Sequence, residues 1–222
     1  MTSRLPAALL AAALAAGVLP GAGCASTTIK VKESLGIAKR EQLVSEVKDA
    51  RNAQQQAKQQ FTTTLEEFRA ITGHDGGDLE RRYNRLKAQA ERSHDRAGAV
   101  SSKIASIERI ANAMFREWDQ ELKDYGSETL REASAEQLAT TRTRYRQLLE
   151  AMKAAESRMK PVLRAFDDQV LFLKHNLNAR AIASLQSTVT ELETEIQALI
   201  DELNASIDEA NAFIEGMERD AS

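Results

Sequence analysis

Apolar residues recur every three or four positions through most of this chain, and no stretch alternates at period two. That spacing is the signature of helices with one buried face. The first helix is predicted from Leu35 to Ile71, with a seam of Leu43, Val47, Ala50, Gln54, Ala57, Phe61, Thr64, Phe68 and Ile71. Thr72, Gly73, His74, Asp75, Gly76 and Gly77 then interrupt it, because glycine reaches the positive φ values that end helices and turn chains. Asp78 is a predicted N-cap. The second seam follows through Leu79, Tyr83, Leu86, Ala90, Ser93, Ala97, Val100, Ile104, Ile107, Ala111, Met114, Trp118, Glu121 and Tyr125. Its four-three spacing is strict, and only Ser93 and Glu121 are polar. A seven-residue repeat of this kind implies left-handed supercoiling against partner helices.

Gly126 is expected to end the second helix. Ser134 with Gln137 three places on matches a capping box, so the third helix is predicted to start there. Its seam is Leu138, Thr141, Tyr145, Leu148, Met152, Ala155, Met159, Val162 and Phe166. Pro161 falls between two seam positions and is expected to bend the helix, since its ring meets the carbonyl of Ser157 and it donates no N–H. A final seam runs Ile182, Leu185, Val189, Leu192, Ile196, Leu199, Leu203, Ser206, Ala210, Phe213 and Met217. The last two seams are out of phase. Residues 170–181 therefore hold either a turn or a register shift in one continuous helix. No Gly or Pro marks a turn there. A protruding final helix would expose its apolar seam, which favours folding back. The predicted architecture is all-α: long antiparallel helices forming a coiled-coil-like three- or four-helix bundle over residues 35–218.

The N-terminal end has a different pattern. Arg4 precedes Leu5–Leu19, a run of almost pure Ala, Leu and Val containing Pro6. This is the length of a signal-peptide core and too short for a bilayer of ~30 Å. Gly21, Ala22 and Gly23 lead into Cys24, and small residues before a cysteine suit a lipoprotein signal peptidase. The expected organisation is a signal peptide over 1–23, lipidation at Cys24 and a tether over 24–34. Gly21 stands where a lipobox carries Leu, so ordinary cleavage after Ala25, leaving a soluble periplasmic protein, is the competing reading. Cys24 is the only cysteine, which rules out an internal disulfide. Ala25 supplies no Asp retention signal, which points to the outer membrane facing the periplasm.

Charge changes this picture little. The net charge is −3, and loss of Arg4 with the signal peptide makes it −4. A mildly acidic chain with interspersed charges argues against nucleic-acid binding and presents no basic face to anionic lipid. No P-loop or nucleophile elbow occurs. Two-metal carboxylate bundles need two Glu-x-x-His motifs, and only Glu91 with His94 fits. No metal, cofactor or catalytic residue is therefore assigned, and an enzyme is not expected. One polar cluster is a candidate binding site. Antiparallel helices would bring His74, Asp75 and Asp78 towards His175, Asn176, Asn178 and Arg180. Arg180 offers a forked donor for a carboxylate, with Asp75 or Asp78 as its natural mate. The alternative is a structural hydrogen-bond knot.

Three segments carry a resemblance: "GIAKREQLVSEVKDARNAQQQAKQQF", "DGGDLERRYNRL" and above all "PVLRAFDDQVLFLKHNLNARAIASL". Over roughly Leu35–Ile214 the chain resembles a bacterial family named domain of unknown function two-nine-five-nine. The Lys-His-Asn-Leu-Asn-Ala-Arg run is the specific part. The resemblance implies an exported, helical, signal-bearing protein and supplies no activity, ligand or site residue.

The residues leave three functional readings. The first is a lipid-anchored coiled-coil structural or adaptor protein with an envelope protein partner. The second is a periplasmic holdase that clamps clients between helices. The third is a ligand or partner site near His175–Arg180. Homo-oligomerisation is left open.

Overall fold

The computed structural model describes residues 24–72 and 78–220, with side chains from Lys39 onward except Ala179 and Ala181. The described elements are α1 (Cys24–Thr72), α2 (Leu79–Glu121), α3 (Glu128–His175), α4 (Ala179–Ser184) and α5 (Gln186–Arg219). The chain divides into two compact units, Met1–Leu35 and Gly36–Ser222. In the first, residues 24–35 are helical, where a tether was expected over 24–34. The second is the bundle.

Each predicted seam is the buried face of a helix. All nine seam residues of α1 are buried, as are all nine of α3. The seam of α2 is buried from Leu86 to Met114, joined by Ile110 and Phe115. Leu79, Tyr83 and Trp118 pack on this core half-buried, and Tyr125 is exposed. Two of these positions correct the expectation. Trp118 lies at the rim of the core, and α2 stops at Glu121, before Tyr125. A seam stays buried only while partner helices run beside it, and here the bundle ends.

Ion pairs show how the helices are arranged. Lys39 meets Glu117 at one end of the α1–α2 contact, and Arg85 meets Glu67 at the other. Lys48–Glu218 and Arg69–Glu193 bracket α1 against α5. Lys153–Glu108 and His94–Asp167 bridge α2 and α3. Arg144–Asp220 and Arg158–Glu202 bridge α3 and α5. Every neighbouring pair is antiparallel. The bundle is up-down-up-down, with four long helices in a ring. α2 and α5 each touch α1 and α3, while α1 and α3 face each other across the core, where the Phe61 and Phe166 rings stack at 6.0 Å.

The out-of-phase seams mark a reversal. α3 stops at His175, and Asn176–Asn178 turn the chain. Asn176 closes the helix: its backbone N–H donates to the Leu173 carbonyl and its Nδ2 to the Phe172 carbonyl. The carbonyl of Asn178 then accepts from the Ile182 N–H, opening α4. A break at Leu185 separates α4 from α5. Asparagine replaces glycine here because its short amide can satisfy a helix's last carbonyls.

The start of α3 also differs from expectation. Ser127, not Ser134, is the N-cap, accepting from the Leu130 N–H. Ser134 lies within the helix and accepts instead from the indole Nε1 of Trp118 at 2.9 Å. α3 runs as one helix through Pro161, which is exposed.

Candidate functional site

The end of the bundle where α1 passes to α2 is also the end where α3 turns to α4. Antiparallel packing thus places Asp78 and the turn at His175–Arg180 at one end. His74 and Asp75 lie outside the described residues. Asp78 caps α2, accepting from the Arg81 N–H at 3.0 Å, and its other carboxylate oxygen is 2.7 Å from the Arg81 guanidinium. That carboxylate is engaged within its own helix and not by Arg180. Asn176 serves as the C-cap of α3, and His175, Asn178 and Arg180 are exposed.

Beside Asp78 is an open hollow of about 450 Å³, lined by Glu80, Arg81, Asn84, Arg85 and Ala88 as well as Asp78. All six residues belong to one stretch of chain, so the hollow is a surface groove with no described opposing wall. His94, the histidine of the Glu-x-x-His match, points across to α3. Its Nε2 lies 2.9 and 3.1 Å from the two oxygens of Asp167, whereas Glu91 pairs with Lys87. Among the described residues, no three His, Cys, Asp or Glu side chains are grouped to hold a metal ion. No described helix is long and apolar enough to cross a membrane. Cys24 is the first described residue and the first of α1, and residues 1–23, expected to be a signal peptide, lie outside the described residues.

A family model described as protein of unknown function, DUF2959, matches residues 29–217. The chain belongs to this family. No curated protein and no solved structure matches it. The match takes in nearly all of the four-helix ring, so in this chain the DUF2959 region is an all-helical, antiparallel bundle.

Two features of this DUF2959 bundle escape a reading of sequence motifs. Leu171 and Phe172 are exposed on α3, 56% and 38%, two turns or less from the Asn176 cap. They lie off the seam, so periodicity says nothing about them. The second feature is polar. Gln54, Thr64, Ser93 and Ser206 occupy seam positions and are completely buried. Gln54 Nε2 donates to Ser206 Oγ at 2.7 Å, and the Thr64 and Ser93 hydroxyls lie 2.8 Å apart. The sequence signal for these pairs is a polar residue interrupting an apolar seam.

Elsewhere the electrostatics are those of a solvated helical surface. Lys103 is held in its charged form by hydrogen bonds to Asp49 and Glu46 across the α1–α2 contact. Glu193 does the same for Arg69 across α1–α5. Tyr145 has its phenol pushed up to about 12, first by burial and then by the negative charge of Glu108. Its ring packs edge-on against Phe115, over which the Arg142 guanidinium sits.

Proposed function

We propose that this chain is a lipid-anchored, periplasm-facing structural or adaptor protein of the bacterial envelope. The observation that carries the reading is the apolar run Leu5–Leu19 closed by Gly21-Ala22-Gly23-Cys24. A long, closed helical bundle following an acylated residue suits a strut or scaffold. Its seams are consumed within one chain, and its outer faces carry ion pairs between neighbouring helices, such as Lys153–Glu108. Such pairs contribute little energy each, but they leave a polar surface through which an envelope partner would be recognised.

The holdase reading draws no support from the core. A clamp requires apolar inner surface open to clients, and the seam residues Leu43, Val47, Phe61, Leu148 and Leu199 are wholly buried. A partner site near His175–Arg180 draws support from the exposed Leu171 and Phe172 beside it.

Palmitate labelling in a lipoprotein-processing bacterium tests the anchor. The wild-type chain is expected to take the label, and Cys24→Ala to lose it and enter the soluble fraction. One acyl chain gives only marginal binding, so stable anchoring requires the several chains of a mature lipoprotein. An unlabelled protein beginning at Ser26 would overturn the reading. Capture from crosslinked membranes tests the adaptor role, with recovery of an envelope protein expected from wild type and lost from Cys24→Ala.

A further inference from the structure

We propose that the buried Gln54–Ser206 pair forms a register lock that selects one alignment of α1 on α5 over those displaced by a heptad. The seams repeat every seven residues, so sliding one helix by about 10 Å places seam residues opposite seam residues again. Small side chains such as Ala50, Ala57 and Ala210 do little by shape to distinguish these alignments. The polar residues do. A slip of one heptad in either direction would set Gln54 against Leu199 or Phe213, and Ser206 against Val47 or Phe61. Every one of these alternatives is apolar and buried. The native alignment is the one, among the three, in which Gln54 meets another polar seam residue.

The α1–α5 contact is where such a lock matters. The short connection over residues 73–78 restrains α1 against α2, whereas α1 and α5 are joined through no direct loop. Gln54 and Ser206 are 152 residues apart in sequence, and their hydrogen bond is fully buried. Buried polar residues that fix register at some cost in stability are well attested in coiled coils. The other four buried polar side chains of the described core, Thr64, Thr72, Ser93 and Thr141, bond to carbonyls of their own helices and carry no such information.

The test uses the full chain with Cys24→Ala, so that introduced thiols are the only ones. Lys58 and Asn204 are neighbours across α1–α5, and K58C/N204C reports the native alignment. K58C/Q197C and K58C/N211C report slips of one heptad. With a short thiol crosslinker, the native pair is expected to react about tenfold or more in excess over either slipped pair. Adding Q54L/S206A should let a slipped pair react to a similar extent while helicity is retained. Moving the partner with L199S/S206A should make K58C/Q197C the dominant pair, since Gln54 then finds its hydroxyl one heptad away. The proposal is overturned if both variants fold and crosslink only at K58C/N204C. It is equally overturned if Q54L/S206A unfolds while L199S/S206A keeps the native pair, because the hydrogen bond then supports stability without selecting register.

Discussion

α1 and α3 face each other across the core and are built on opposite principles. The buried face of α3 is large and apolar, with Tyr145, Leu148, Met152, Met159, Phe166 and Leu173. The buried face of α1 includes Ala50, Gln54, Ala57 and Thr64 among its apolar residues. α3 touches α2 and α5 through its core with no buried side-chain hydrogen bond to either among the described residues. α1 forms one with each. The difference separates two requirements of a helical bundle. Bulk apolar burial supplies most of the driving force and is tolerant of alignment. Buried hydrogen bonds add little net energy but penalise misalignment, because an unpaired buried group costs ~1–3 kcal/mol.

The largest expected effect is at the place where the two helices meet. Phe166→Ala removes a nearly fully buried ring stacked on Phe61 and is expected to cost ~3–5 kcal/mol. Chemical denaturation measures it. A loss below about 1 kcal/mol, far under the range for such truncations, would mean that α3 is not the apolar spine of the bundle. On the α1 side, Gln54→Leu leaves the Ser206 hydroxyl buried without its partner and is expected to cost ~1–3 kcal/mol. Adding Ser206→Ala should recover most of that loss. Recovery in this double-mutant cycle distinguishes an unpaired polar group from a packing defect.

The comparison sharpens with pH. Tyr145 of α3 titrates near 12 in the folded chain against 10 for a free phenol. The folded state therefore holds the phenolic proton more tightly than the unfolded state does. The associated stability is fully present below pH 10 and is lost as pH rises towards 12, by roughly 1–2 kcal/mol after allowing for partial exposure. Tyr145→Phe should flatten that decline, as followed by denaturation at a series of alkaline pH values. An unchanged slope would reassign the alkaline loss to other groups. The smallest effect is expected at Gly216, which is buried beneath Arg144. A Cβ there would lie 3.0 Å from the Arg144 Nη1. Gly216→Ala gains up to ~1 kcal/mol of helix propensity and displaces a flexible guanidinium from its seat, so a net gain of about 0.5 kcal/mol is expected in thermal melts. A loss above about 1 kcal/mol, the whole propensity gain reversed, would show that the Arg144–Asp220 bridge between α3 and α5 matters more than a surface ion pair should.

The bundle itself was legible because its physics is periodic. A seam such as Leu43–Ile71 states its own buried face, and each seam position of α1 and α3 is buried. The reversal near residue 176 was legible only as a phase shift, since Asn176 and Asn178 do the work usually signalled by glycine or proline. The start of α3 was misread for a chemical reason. Ser134 and Gln137 form a better local capping motif than Ser127, which has Leu130 at the third helical position. A hydroxyl can serve many donors, however, and that of Ser134 takes the Trp118 indole, a contact set by tertiary packing. Of the candidate cluster, the topology legible in the sequence concerns Asp78 and the turn at His175–Arg180, which antiparallel helices bring to one end. The pairing was not legible, because Asp78 had an arginine three residues away on its own helix. Local partners at helical spacing compete with distant ones without any loop-closure cost.

The four long helices described in the bundle bring the end of α5 back beside the Lys39 end of α1, with Arg40 of α1 donating to the Met217 carbonyl. This decides how the bundle would bear tension. Pulled between residues near Lys39 and Asp220, α1 and α5 peel apart like the halves of a zipper, breaking contacts a few at a time. Pulled instead between Lys39 and the Asn176–Asn178 turn, the helices slide lengthwise, and the whole seam must fail together. The same molecule is mechanically soft along one direction of loading and stiff along the other. Single-molecule stretching with handles at these two pairs of positions would reveal a low unzipping force and a higher shearing force.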